Sequence, residues 1–228
     1  MVHCLATSVI GSAHVETGMP CQDAWLFQAD DDAMIGVVCD GLGSKKSSHL
    51  GSTTACTAAL EAWKVWKDSS VGTPEDFIRL LEVTWRLMLR DTPPVDSATT
   101  CVVFIQDHHQ RCFVAQLGDG MFIKRQDEDI YLHPYQQHDF GFTKGLGLPH
   151  TLNDWTIHQL PLLKEGESIL MLSDGLSEDL EIESMSSLIQ YLIDDVAHDF
   201  NPEKRLTTEL DDWGGHDDKT LLLIWREA

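Results

Sequence analysis

The stretch SILMLSDGLSE (Ser168–Glu178) drives a run of aliphatic residues straight into an aspartate and a glycine. An ionised carboxylate at the mouth of a hydrophobic element is costly to desolvate unless a cation or hydrogen-bond donors meet it. The pattern recurs: MIGVVCDG ends at Asp40 and Gly41, and RCFVAQLGDG at Asp119 and Gly120. Each D-G pair alone is an ordinary turn signal. Three together imply a shared cause: carboxylates far apart in sequence that meet at the ends of strands.

Working outward, LATSVIG, CQDAWLFQ, AMIGVVCD, TTCVVFIQ, RCFVAQLG, GMFIKRQ, SILMLSD and TLLLIWR are rich in Val, Ile, Phe, Trp, Thr and Cys and are punctuated by Gly, Asp or Pro, so they read as strands. Apolar residues at three- and four-residue spacing predict helices over 47–67 and 74–90. TPEDF offers Thr73 as an N-cap, Pro74 at the first helical position and acids in the first turn. A third helix is expected over 182–198 and a shorter one in PEKRLTTEL. Strands, two helices, a block of strands, a helix and a last strand do not alternate regularly. That order disfavours a doubly wound parallel sheet and favours a layered α+β fold with largely antiparallel sheets. QDHHQR (Gln106–Arg111) reads as a hairpin turn in which His108 and His109 diverge into solvent rather than form a metal pair. The longest irregular segment, LHPYQQHDFGFTKGLGLPHTLND (132–154), has the length of a functional loop.

The 228 residues, 43% of them hydrophobic, fit a single domain over 1–228 with a real core. Against 16 lysines and arginines stand 37 aspartates and glutamates, a net charge of -21 that repels nucleic-acid backbones. No apolar run approaches the roughly 20 residues of a membrane span, and the N-terminus lacks the basic start and apolar core of a signal peptide. A cytoplasmic monomer is expected. The six cysteines contain no C-x-x-C and several sit in strand-like runs, so they read as buried apolar residues in a reducing compartment.

Convergent carboxylates suit hard divalent cations such as Mg²⁺ and Mn²⁺. The candidates are Asp23, Asp40, Asp119, Asp174, and Asp217 or Asp218. The glycine after a strand-end aspartate permits a tight turn and can expose a carbonyl as one more ligand. In order, GMPCQDAW, VVCDGLGSKKSSHLGS, SATTCVVFI, QLGDGMFI, FTKGLG, ILMLSDGLSE and HDDKTLLLIW resemble the metal-dependent protein phosphatases of the PP2C group, in their bacterial form, from about Gly11 to Trp225. The resemblance implies a four-layer α-β-β-α sandwich, two antiparallel sheets face to face with helices outside and a metal centre at one end. It implies two Mn²⁺ or Mg²⁺ ions, Asp40 bridging both with the Gly41 carbonyl beside it. Asp174 and Asp217 would hold one ion, and Asp23 the other directly or through its waters. Asp119 lies where bacterial relatives bind a third, weaker ion. Asp218 stands where many members have Asn, which favours Asp217 as the ligand. The implied reaction is in-line attack on a phosphoserine or phosphothreonine monoester by a hydroxide bridging the metals, without a covalent intermediate. The implied partner is a phosphoprotein, the target of a serine/threonine kinase.

The chain departs from the family at several positions. Gly18 occupies the place of a phosphate-gripping arginine. His14 is the nearest residue able to donate to phosphate or protonate a leaving alkoxide, the alternative being a plain surface histidine. Lys45 and Lys46 are cations just past Asp40 that can attract phosphate or simply be solvated. Leu42 follows the D-G where some eukaryotic members have a histidine, and Met121 replaces the arginine of the usual G-D-S-R, which makes the Asp119 region less polar. Gly18 and Met121 together raise a rival reading, a catalytically weak or inactive PP2C-fold regulator that binds phosphoproteins. A two-metal nuclease is disfavoured by the charge and by the lack of a basic or aromatic nucleic-acid track.

Overall fold

A computed structural model describes residues 1–31, 33–126, 129–132, 143–177 and 180–227. The strands are β1 (Val2–Val9), β2 (Asp23–Asp30), β3 (Ala33–Asp40), β4 (Cys101–Gln106), β5 (Cys112–Leu117), β6 (Met121–Gln126), β7 (Asp129–Leu132), β8 (Thr156–Gln159), β9 (Glu167–Leu172) and β10 (Lys219–Arg226). They form two five-stranded sheets, ordered β1-β10-β9-β6-β7 and β2-β3-β4-β5-β8. Every strand pairing is antiparallel. The helices are α1 (Ser12–Thr17), α2 (Ser48–Trp66), α3 (Pro74–Met88), α4 (Asp174–Ser177), α5 (Met185–Tyr191) and α6 (Pro202–Asp212).

Strand alternation builds the layers. Along β3, Ile35, Val37 and Cys39 face Trp63, Phe77 and Trp85 of α2 and α3. The intervening Met34 and Val38 face Met171, Leu222 and Ile224 of the other sheet. Gly36 lies in the same row, and a Cβ there would stand 2.6 Å from Ile224 Cδ1, so glycine is what lets the sheets approach. On the far side, Leu170, Leu172, Leu221 and Leu223 pack against Met185, Ile189, Leu206 and Leu210 from α5 and α6. Helix, sheet, sheet and helix are therefore stacked as an α-β-β-α sandwich, the expected fold class. Cys39 is a core residue.

Local chemistry explains the helices that the sequence announced. Thr73 Oγ1 accepts from Asp76 N at 3.3 Å while Asp76 Oδ2 accepts from Thr73 N at 3.1 Å, a capping box at the start of α3. The helix expected over 182–198 is instead three pieces: a 3-10 turn at Ile182–Ser184, α5, and a π-helical turn at Leu192–Val196. Gln110 carries the positive φ of the β4–β5 hairpin, where His108 and His109 are exposed in a turn. Of the long segment 132–154, the part at 133–142 lies outside the described residues.

Candidate metal centre

Asp23 opens β2 and Asp40 closes β3, and the register sets them directly opposite each other. Side chains of a cross-strand pair project to the same face, so two carboxylates meet at the sheet end by pairing alone. The Asp40 backbone is fixed on three sides: its N donates to Thr100 Oγ1 at 3.1 Å, and its carbonyl accepts from Thr100 N and Thr99 Oγ1, each at 2.8 Å. Gly41 has no room for a side chain, because a Cβ would lie 2.8 Å from Gln22 O and from Ser48. No hydrogen bond reaches the Gly41 carbonyl among the described residues.

The other sheet supplies the remaining acids. Asp174 begins α4 at the end of β9, and Gly175 beside it passes so close to the chain that a Cβ would be 2.1 Å from Asp218 O. Asp119 sits in the β5–β6 turn, entered through Gly118 at φ 102, and its Oδ2 accepts from Thr143 Oγ1 at 2.8 Å. One carboxylate oxygen each from Asp40, Asp119 and Asp174 lies within 4.8 Å of the others. Both oxygens of Asp23 and one each of Asp119 and Asp174 are buried with no hydrogen-bond partner.

Electrostatics reports the same crowding. Burial, then the charges of Asp23 and Asp174, push the Asp40 carboxyl well above its usual range. Burial pushes Asp23, only 7% exposed, up to about 7, and Asp174 up to about 6, the latter with help from Asp119 and Asp217. Gathered carboxylates with orphaned oxygens and raised pKa values are what an acidic site looks like without a countercharge. The donor set is all oxygen, as Mg²⁺ and Mn²⁺ prefer, so the residues fit the divalent ions expected of this arrangement.

Asp217 and Asp218 divide their labour. Asp218 is 2% exposed and fully engaged: Oδ1 accepts from Gly11 N at 2.7 Å and Oδ2 from Gln22 N at 2.5 Å. Asp217 is exposed, and its charge is felt by Asp174. His14 is not a surface residue. It is 8% exposed, with Nδ1 at 2.9 Å from Asp218 Oδ1, a close contact without hydrogen-bond alignment. Gly18 caps α1 in the left-handed region at φ 69 and ψ 23, and no atom lies within 4 Å of where its Cβ would be. Lys45 is half-buried and Lys46 exposed, and no ion pair of either exists among the described residues. Met121 is buried in the apolar layer beneath α5 and α6. Ser173 Oγ accepts from Thr220 N at 2.9 Å, which makes it a structural link between β9 and β10 rather than a nucleophile. The roles of Thr99, Thr100 and Thr143 were not visible in the sequence, because they depend on which strands and turns become neighbours.

The antiparallel double sandwich thus brings carboxylates from both sheets together at one end. Residues 10–213 match the model of the protein phosphatase 2C family, and the chain belongs to that family. The match stops short of Asp217 and Asp218, but structural similarity continues through β10. The photosystem II phosphatase PBCP superposes with a TM-score of 0.74 at 15% identity, covering 100% of both chains. The serine/threonine phosphatase MsPP of Mycobacterium smegmatis, in complex with cacodylate, gives 0.65 at 20% identity over 98% of each chain. RsbX in complex with magnesium gives 0.61 at 15% identity, covering 98% of this chain and 94% of its own. No curated protein matches the sequence.

Proposed function

We propose that the chain is an active Mn²⁺- or Mg²⁺-dependent serine/threonine protein phosphatase. The observation that carries this reading is the set of buried, unpartnered oxygens on Asp23, Asp119 and Asp174 around Asp40. An inactive fold under no demand to bind cations gains nothing from keeping four carboxylates in mutual repulsion. Asp40 would hold both of two ions, with the Gly41 carbonyl, Asp174, Asp217 and Asp23 completing the set and Asp119 serving a third, weaker ion. When bound, the ions supply an acidified water near neutral pH and offset the charge of the phosphate. The chain's own residues orient that chemistry: Thr99 and Thr100 hold Asp40, and Thr143 holds one Asp119 oxygen.

In this reading His14 is the proton donor to the leaving alkoxide. Asp218 faces Nδ1, which leaves Nε2 as the atom that exchanges the proton. Lys45 and Lys46 attract the phosphate as point charges where Gly18 offers no guanidinium. The substrate is a phosphoprotein, and the chain acts in the cytoplasm as a monomer. Its six free cysteines suit a reducing compartment, and no helix among the described residues is long and apolar enough to cross a membrane. Gly18 in the place of an arginine, with Met121, favours one rival, a regulator that binds phosphoproteins without turning them over.

The test is turnover of a phosphomonoester and a phosphodiester, each with Mn²⁺ and with excess EDTA. Monoester hydrolysis that needs Mn²⁺ supports the phosphatase. Full activity in EDTA excludes the mechanism, diester preference points to a nuclease, and phosphopeptide binding without turnover points to the regulator.

A further inference from the structure

Away from the carboxylates, one sheet and the helices over it enclose a cavity of about 510 Å³, within the size range of small-molecule sites. The register sets Arg125 opposite Ser168, Ser168 opposite Trp225 and Trp225 opposite His3, a row across β6, β9, β10 and β1 whose side chains share one face. Ser168 near the start of β9 and Asp174 just past its end are about 20 Å apart at strand rise, so the cavity is no part of the metal centre. His3 and Trp225 stack with ring centroids 5.2 Å apart and planes 19° apart, which gives the cavity a flat aromatic wall. The π-helical turn Leu192–Val196, where Ala197 N donates to Leu192 O at 2.9 Å, adds Ile193 and Ala197 as apolar lining. Arg125 Nε donates to Ser186 Oγ at 3.2 Å and Nη2 to Gln190 Oε1 at 2.5 Å, while Nη1 makes no hydrogen bond among the described residues. Arg79, Arg111 and Arg205 each pair with a carboxylate, and Arg125 pairs with none among the described residues. Two acids also line the cavity, and each has its own partner there: Asp194 Oδ2 accepts from Gln190 Nε2, and Glu227 Oε2 lies 3.3 Å from His3 Nε2.

We infer that this cavity is a second ligand site, and that its ligand is a small flat aromatic molecule bearing one carboxylate or phosphate. The His3–Trp225 wall, Ile193 and Ala197 cover the ring, since flat rings pack best against flat rings. The guanidinium is held in place by two neutral oxygens, and the edge that carries Nη1 is left to grip a planar anionic group. In a chain of net charge -21, a half-buried arginine without a paired carboxylate is a local positive potential that an anion fills. Such a ligand binds here whether or not the metal centre turns over a phosphoester.

Isothermal titration tests this with naphthoate and adenosine monophosphate, each beside its uncharged counterpart, naphthylmethanol or adenosine, on the full chain with Mn²⁺. At least one anion should bind with a Kd of about 1 mM or tighter, and about tenfold more tightly than its counterpart. Binding of naphthoate alone identifies a carboxylate site, and binding of the nucleotide alone a phosphate site. Arg125→Gln should erase the tenfold preference for the charged form. Ala197→Phe fills the cavity from the helix side without replacing Arg125, and should weaken the anion and its counterpart alike. Asp40→Asn should bind as the wild type does, because the metal centre lies elsewhere. No anion bound below about 1 mM, an uncharged counterpart bound equally well, or wild-type affinity in Arg125→Gln or Ala197→Phe overturns the inference. Loss of binding in Asp40→Asn puts the anion at the metals and overturns it as well.

Discussion

Asp217 and Asp218 are adjacent acids with opposite demands on a substitution. Asp218 accepts two backbone N–H groups in a buried setting, and an asparagine could satisfy only one of them with its single acceptor oxygen. Asp218→Asn should therefore destabilise the fold by about 1–3 kcal/mol, seen as a lower midpoint in urea. Asp217→Asn should leave that midpoint unchanged and weaken the response to Mn²⁺. If Asp217→Asn keeps the full metal response, it is not a ligand. At Gly18 the left-handed backbone decides the outcome: any L side chain there costs about 1–2 kcal/mol. Gly18→Arg and Gly18→Ala should lose similar stability, and the arginine should not lower KM for para-nitrophenyl phosphate. A KM several-fold lower in Gly18→Arg alone would show that the guanidinium reaches phosphate despite the strain. Asp40, Asp119 and Asp174 were legible in the sequence because strand periodicity fixes where a strand ends, and a D-G at that point has few other reasons to recur. The buried Asp218–His14 pair was not, because burial of a residue in a Gly-Gly-His-Asp-Asp loop depends on what packs over it.

Elements were legible in proportion to their length. The run AMIGVVCD coincides with β3, and the helices expected over 47–67 and 74–90 are observed at 48–66 and 74–88. The strands β7 and β8 have four residues each and lie at sheet edges, where pairing on one side asks little of the sequence. Helix α1 has six residues and no side-chain cap, and Ala13 N donates to His216 O, so tertiary contact rather than propensity holds it. The loop after residue 142 is anchored to α3 in the same tertiary manner. His150 Nε2 lies 2.8 Å from Glu82 Oε1, His150 Nδ1 lies 2.8 Å from Leu148 O, and Trp155 Nε1 donates to Glu82 Oε1. The Glu82 bond holds His150 above its usual value of 6.5. Burial raises Glu82, but the hydrogen bonds from His150 and Trp155 outweigh it and hold the carboxyl below 4.5. The raised histidine contributes fully below its unfolded value and fades as pH climbs through its folded one. The lowered glutamate contributes fully above its unfolded value and fades as pH falls through its folded one. Glu82→Gln should therefore cost most between about pH 4.5 and 6.5, on the order of 1 kcal/mol, and least in alkaline solution. Urea midpoints of both proteins across pH 4–9 check this, and a difference that grows toward pH 9 would refute it.

The whole molecule carries a charge of -21, and among the described residues a knot of carboxylates lies at one end of the sandwich. Two kinds of repulsion follow, and they respond to different ions. General repulsion over the surface is screened by any salt, because the Debye length shrinks from about 10 Å at 0.1 M to about 3 Å at 1 M. Repulsion among Asp23, Asp40, Asp119 and Asp174 sits in buried and half-buried positions that monovalent screening reaches poorly, and what relieves it is a proton on a raised carboxyl or a bound cation. Sodium chloride should thus raise the melting temperature modestly and equally in the wild type and in Asp40→Asn. Mn²⁺ at about 100 times its dissociation constant should stabilise the wild type by about 2.7 kcal/mol, or roughly 5–10 °C for a chain of this size. In Asp40→Asn the apo protein should melt at or above the wild-type apo value, since one buried carboxylate is gone, while the Mn²⁺ increment should vanish. Turnover should fall with it by more than about 100-fold, beyond the loss that removing a mere outer partner of a ligand brings. Scanning calorimetry with sodium chloride and Mn²⁺ as separate arms distinguishes the two repulsions. If Mn²⁺ stabilises Asp40→Asn as much as the wild type, the ion is bound by surface charge, and the convergence of Asp23, Asp40, Asp119 and Asp174 is not its site.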